Sequence, residues 1–575
     1  MKTKLFYLLL LLMTSAGTAI SQSAWEKYKS GVSVTYDETI SFYKEMDKKY
    51  PEARLFNIGK SDNGRPLHLF VLSPDRIFNR DSLRRKGYTV LLINNGIHPG
   101  EPDGINACIK LVKDYFEHAL IMPEKVVLAI IPVYNVDGML NTSEYFRSGQ
   151  NGPKEVGFRG NYRNLDLNRD FIKCDSENAK VFNKIYTEWD PDVFVDTHVT
   201  DGADYQYTMT LIDSQKDKLH PAISKVMKKT ILPYLYLAMN KMEYPMSPYV
   251  NVWGDDPSKG MDGFLEPPRF ASGYSALYNA FPFVTETHML KPFPQRVECT
   301  YTFLHLMTMA CNIYGTALRQ ARQDAASIVS STQTDFPLTW ELDTTKTDSI
   351  FFLGYDAERK TSKVTGMEVI YYNELRGYGK NIPYRNTFRP SLTVTKPVAY
   401  LVPQAWKEVI ERLQLNHIKM QQLKKDSVMH AEVYYIRDYK TGKTPYEGHY
   451  LHSNVVVEKD TQDIRCFAGD YIIYCNQPSN RYIIETLEPQ ATDAFFAWGY
   501  FDAILQQKEW FSDYLFDETA WQLLSADPKL AEAFAKKKTE DPDFAKNAWS
   551  MYSWIFQNSK WHEPTHNRYP VLRLF

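Results

Sequence analysis

Residues 89–101 read TVLLINNGIHPGE. Thr89 to Asn95 form a continuous apolar run, the signature of a strand covered on both faces. Gly96 to Glu101 interrupt it with two glycines and a proline, so the chain leaves the strand through a tight loop. Next, residues 103–120 set Ile105, Cys108, Ile109, Val112, Phe116 and Leu120 on one helical stripe. The alternation repeats: KVVLAIIPVYN (125–135) is a second buried strand, residues 175–189 a helix, DVFVDTH (192–198) a third strand and PFVTETH (282–288) a fourth. A long helix follows from Gln295 to Arg322. Strands alternating with helices predict an open α/β sheet, largely parallel, with helices on both faces.

Ligands of open α/β sheets gather outside the carboxyl ends of the strands, and the reactive residues stand there. His98 and Glu101 form an H-x-x-E pair in the loop after the first strand, and His198 ends the third. Two histidines and one glutamate make a catalytic zinc set, with a fourth position left for water. Glu286, near the end of the fourth strand, suits a general base at that position; a fourth ligand or a partner to a ligand is the alternative role. His288, two residues on, faces the same side and competes for either. Between the ligands, GFRGNYRNLDLNRDF (157–171) carries Arg159, Asn168 and Arg169. Arginine's planar fork suits capture of a carboxylate and stabilisation of an oxyanion.

The whole chain has 575 residues, 44% of them hydrophobic and 24% charged, which excludes a disordered protein. Its net charge of −2 argues against a nucleic-acid binder, which needs a concentrated basic face. Six cysteines without C-x-x-C spacing argue against a zinc ribbon. Lys2 and Lys4, the apolar run Leu5 to Met13, and Ala19 and Ser21 before Gln22 read as a signal peptide over 1–21. Nine apolar residues are too few to span a bilayer, so an exported chain without a membrane span is expected. Cys466 and Cys475 are a candidate disulfide; six buried thiols are the alternative.

The motifs G-I-H-P-G-E (96–101), N-V-D-G (135–138), R-G-N…D-L-N-R-D-F (159–171), D-T-H (196–198) and T-E-T-H (285–288) together resemble the zinc metallocarboxypeptidases of the carboxypeptidase A type, in particular their secreted bacterial members. The resemblance covers roughly residues 25–325. It implies a mixed, largely parallel carboxypeptidase-like sheet and hydrolysis of C-terminal peptide bonds of peptides or proteins, with one zinc per chain. It implies His98, Glu101 and His198 as metal ligands, Glu286 as the catalytic glutamate, Asn168 and Arg169 as the grip on the substrate's terminal carboxylate, and Arg159 as the group polarising the scissile carbonyl. Arg147 is a rival for that last role. Of Tyr274 and Tyr278, Tyr274 is preferred for the family's mobile tyrosine. A zinc amide hydrolase acting on peptidoglycan stem peptides or acyl amides is the near alternative, and a non-catalytic binding protein on the same scaffold the distant one.

The remainder divides by composition. A catalytic domain is expected over 22–325, ended by a polar linker (324–337), then a strand-rich region over 335–480 and a helical, aromatic-rich region over 481–575, together a C-terminal α+β part. That last region holds Trp498, Trp510, Trp521, Trp549, Trp554 and Trp561. The cluster reads as a packing layer docking the tail onto the body, with a sugar-stacking surface as the alternative.

Overall fold

The structure, a computed structural model, describes residues 25–575. The expected export signal lies outside the described residues. An eight-stranded sheet dominates the first half: β1 (Ala53–Lys60), β2 (Pro66–Leu72), β3 (Thr89–Asn94), β4 (Val126–Ile131), β5 (Val193–Thr200), β6 (Met209–Asp213), β7 (Met246–Pro248) and β8 (Phe281–His288), in the order β1-β2-β4-β3-β5-β8-β6-β7. The central four, β4-β3-β5-β8, run parallel, whereas β1 with β2, β2 with β4 and β8 with β6 are antiparallel. The sheet is therefore mixed α/β.

Every residue of β3, β4 and β5 is buried. Side chains alternate along a strand, so both faces of the sheet are covered. The covering helices are α1 (Asp103–Phe116), α2 (Glu177–Trp189) and α3 (Phe293–Ser330). Helix α1 buries the expected stripe, including Ile105, Cys108, Ile109 and Val112. Helix α2 starts where the Ser176 hydroxyl accepts the Ala179 N–H, a side-chain cap.

Helix α3 overruns the expected linker: it continues to Ser330, and the chain is extended again from Asp335. Leu318, Ala321, Ala325 and Val329 stay on one buried stripe at spacings of three and four residues. The polar residues between them face out, so the composition looks like a linker while the buried face is that of a helix.

The second half adds a long hairpin (Asp348–Thr361 with Glu368–Arg385) and a six-stranded sheet. The chain's last strand, Leu572–Leu574, lies inside that sheet, between Ala399–Val402 and Ser427–Thr441. The main apolar core is continuous from Tyr28 to Val571. Residues 511–556 have a smaller core of their own around Phe516, Ala520, Ile555 and Phe556.

The tryptophans do not form a docking layer. Trp498 is fully buried, but Trp510, Trp521, Trp549 and Trp561 are 57%, 65%, 48% and 54% exposed. Within the small helical unit Trp521 and Trp549 turn outward, while Trp554 packs against a core that Phe and Ile residues already fill. All six cysteines are buried and free, so Cys466 and Cys475 form no disulfide. Among the described residues, no helix is long and apolar enough to cross a membrane.

Candidate metal centre and substrate cleft

Three strands deliver the site to one edge of the sheet. The loop after β3 carries His98 and Glu101, β5 carries His198, and β8 carries Glu286 directly beside His198 in the parallel register. One nitrogen or oxygen from each of His98, Glu101 and His198 lies within 4.8 Å of the others. All three residues are buried.

Each imidazole is oriented by a carboxylate behind it. His98 Nε2 lies 2.9 Å from Asp166 Oδ1, and His198 Nε2 lies 2.9 Å from Asp196 Oδ2. Both Nδ1 atoms therefore turn toward Glu101, at 3.3 Å and 3.0 Å. His98 Nδ1 is buried without a hydrogen-bond partner. A buried, unpartnered imidazole nitrogen aimed at a carboxylate and a second imidazole is what a bound cation satisfies, and histidines backed by carboxylates are the usual ligand arrangement. The donor set fits zinc. Asp166 and Asp196 stood inside the quoted motifs, but their part in orienting the rings emerges only from the geometry.

Glu101 is held from several directions. It accepts the Val199 N–H at 2.9 Å and Arg147 Nη1–H at 2.8 Å. Burial alone would raise its carboxyl, but His98, Arg147 and His198 hold it well below the usual range. Asp166 behaves alike: burial opposes ionisation, and His98, Arg159 and Arg169 outweigh it. Glu286 is different. Burial pushes it up to about 8, with Glu101 adding to the rise and His198, Arg147 and Arg159 opposing it.

The cleft has a volume of about 280 Å³ and is lined by the three metal-site residues, Glu286, Arg159, Asn168 and Arg169, and by an apolar wall that includes Ile212, Val284, Phe264 and Phe270. The Arg169 guanidinium lies over the Phe270 ring at 4.3 Å, and Asn168 Oδ1 accepts the Ala271 N–H at 3.3 Å. Arg159 is 45% exposed, donates Nε–H to Asp166 at 3.0 Å and brings Nη1 within 3.4 Å of Glu101. Its rival Arg147 has its fork committed to Glu101, Val199 O and Gln150, so it orients the Glu101 carboxylate rather than waiting for a substrate. A larger cavity, about 1230 Å³, opens elsewhere beside Arg84 and Arg322. There the arginines are already paired with Asp190 and Asp192.

Tyr274 is a correction. It is fully buried, its hydroxyl donates to Asn416 Oδ1 at 2.6 Å, and it packs among Phe171, Phe182, Tyr186 and Tyr278. Tyr278 bonds the same Asn416 oxygen. Neither reaches the cleft. Tyr249 does line it. Burial, then the nearby Glu286 charge, pushes the Tyr249 phenol well above its ordinary value, so it stays a donor. It follows β7 in an irregular run, YPMSPYV, that gives no strand-end signal. His288 is buried, with Nδ1 3.7 Å from Asp204 and Nε2 3.4 Å from Gly202 O. It braces the loop after β5 and does not join the donor cluster.

A family model described as zinc carboxypeptidase matches residues 39–237. That segment includes His98, Glu101, Arg159, Asn168, Arg169 and His198 and stops before Glu286. The chain is 22% identical over 491 residues to carboxypeptidase 2 of Trichophyton rubrum, covering 81% of this chain and 84% of that protein. It is 22% identical over 469 residues to carboxypeptidase 2 of Trichophyton equinum, covering 76% and 79%. Among solved structures, carboxypeptidase A from Helicoverpa armigera aligns with 54% of this chain and 82% of its own at 15% identity and a TM-score of 0.39. A metallo-carboxypeptidase from Burkholderia cenocepacia aligns with 49% and 70% at 15% identity and a TM-score of 0.37. The zinc carboxypeptidase family model matches a segment that spans the whole donor cluster, and together with the carboxypeptidase relatives this supports a metallocarboxypeptidase.

Proposed function

We propose that the enzyme is exported and removes C-terminal residues from peptides, with His98, Glu101 and His198 holding one zinc ion and Glu286 as general base. The observation that carries this reading is the register of β8 against β5. It sets Glu286 beside His198, while Asn168 and Arg169 line the same cleft.

Zinc held by these residues would polarise a carbonyl oxygen and acidify water at its open position. The protein's own groups do the rest. Arg169 presents its fork, steadied on Phe270, to the terminal carboxylate, and the Asn168 amide donates beside it. That contact selects a chain end, because an internal peptide bond has no carboxylate to offer. Arg159 Nη1 faces the developing oxyanion. Glu286 accepts a proton from the attacking water and returns it to the leaving amine. Tyr249 takes the donor role expected of Tyr274, since its phenol is the one in the cleft. The apolar wall of Ile212, Val284, Phe264 and Phe270 faces the departing side chain. The signal read in residues 1–21 supports action outside the cytoplasm.

The test is mass spectrometry of a mixed peptide library after incubation, with and without a chelator. Loss of single C-terminal residues, abolished by chelation, is expected. Internal cleavage would remove the carboxylate-clamp reading. Release only from peptides with D-centred termini would favour the peptidoglycan alternative.

A further inference from the structure

The second half of the chain contacts residues that back the substrate cleft. Glu447 Oε2 accepts the backbone N–H of Asp166 at 2.7 Å, behind His98. A second contact is more elaborate. Asp493, 1% exposed, accepts the Arg269 backbone N–H on Oδ2 at 2.7 Å and Arg269 Nε–H on Oδ1 at 2.8 Å. Arg269 Nη2 lies 2.7 Å from that same Oδ1. The guanidinium also packs over Trp498 at 5.0 Å and Tyr446 at 5.5 Å. Residue 269 is thus fixed in backbone and side chain by a group 224 residues away in sequence.

The next two residues carry the consequence. Phe270 supports the Arg169 guanidinium, and the Ala271 N–H occupies Asn168 Oδ1. With that oxygen engaged, the Asn168 amide turns its N–H₂ group away from Ala271 and leaves it free to donate. Both residues assigned to the terminal carboxylate rest on the segment that Asp493 pins.

We propose that Asp493 is a positioning residue for substrate binding, acting through Arg269 and the 270–271 backbone to hold Asn168 and Arg169 in register with the terminal carboxylate. It rests on the reading of those two residues as the carboxylate grip. Asp493 touches no substrate. A buried ion pair is weak evidence for stability, because apolar replacements often do as well, whereas a carboxylate that engages both the backbone N–H and the guanidinium of one residue fixes that residue's orientation. Small displacements of a substrate-orienting group are costly, which makes such a pin worthwhile.

The test uses the full-length zinc-loaded enzyme and peptides with free C-termini. Asp493→Asn keeps the shape but sets an amide N–H₂ or a neutral oxygen against the Arg269 fork. It is expected to raise KM by about tenfold while kcat changes far less. Zinc content should stay that of the wild type. In an Arg169→Ala background the same substitution should add much less, since only Asn168 of the two groups it positions remains. If the Asn variant loses native circular dichroism, Arg269→Lys carries the same test, because lysine keeps the charge and loses the fork. Unchanged KM in the single variant overturns the proposal. So does an equal loss in both backgrounds, which marks a purely structural role. If Arg169→Ala itself leaves KM unaltered, the carboxylate-grip reading fails, and that arm separates its failure from failure at Asp493.

Discussion

The carboxyl edge of the eight-stranded sheet and the small helical unit over 511–556 both gather polar or aromatic side chains, but they restrain them differently. At the sheet edge each reactive group is held from behind: His98 by Asp166, His198 by Asp196, Glu101 by Arg147 and the Val199 N–H. The strands beneath are buried on both faces and tie the edge to the main core. The helical unit packs Phe516 and Phe556 inside its own core and leaves Trp510, Trp521 and Trp549 outward. Its stability is therefore separable from the cleft, whereas any loosening of the sheet edge reaches the donors at once. Chemistry that needs sub-ångström placement belongs on the first kind of support.

The largest effect expected from breaking that difference is at a ligand. His198→Ala should strip the metal, because two remaining donors hold zinc loosely, and should leave no measurable peptide hydrolysis. Elemental analysis of the purified variant checks it; full zinc occupancy would exclude His198 as a ligand. Chelating the wild type should reproduce the loss, and adding zinc back should restore activity only in the wild type.

Next is Glu286→Gln. It keeps the donor cluster intact and removes the base, so zinc content should match the wild type while kcat falls roughly 10²–10⁴-fold. Single-turnover kinetics beside metal analysis measures both. Substantial residual turnover would remove Glu286 from the proton-transfer role. A smaller and more selective loss is expected for Arg169→Ala. Its defect should appear mainly in KM, and only for substrates with a free terminal carboxylate.

The sheet edge was open to reading from sequence for a physical reason. Strands covered on both faces write themselves as unbroken apolar runs, as in Thr89 to Asn95 and Val193 to Val195, and the residues ending such runs emerge at one edge. His98, Glu101, His198 and Glu286 could therefore be brought together before any contact was known. Tyr274 misled because an aromatic in a helix before a strand looks the same whether it faces a cleft or a core. Only the Asn416 side chain, 142 residues on, consumes its hydroxyl. Tyr249 was missed because its run has no periodicity. The overrun of α3 was hidden because Ala325 and Val329 are its only apolar anchors past Arg322 with wholly buried side chains. The pin between Asp493 and Arg269 joins residues too distant for local pattern to relate, and neither stands in a motif.

The smallest effect on catalysis is expected where the molecule has a separate core. Phe516 is 6% exposed and packs against Phe511, Tyr552 and Phe556. Phe516→Ala should cost about 3 kcal/mol locally, the low end for a buried aromatic, since the unit's open surface lets its helices relax. The unit's own core confines that loss to residues 511–556. Calorimetry should then show a new transition below that of the main body, while kcat/KM on short peptides stays at the wild-type value. A single cooperative transition shifted as a whole, with activity falling in step, would mean that the helical unit and the sheet edge share one folding unit. The exposed tryptophans would then be part of what keeps the cleft in shape.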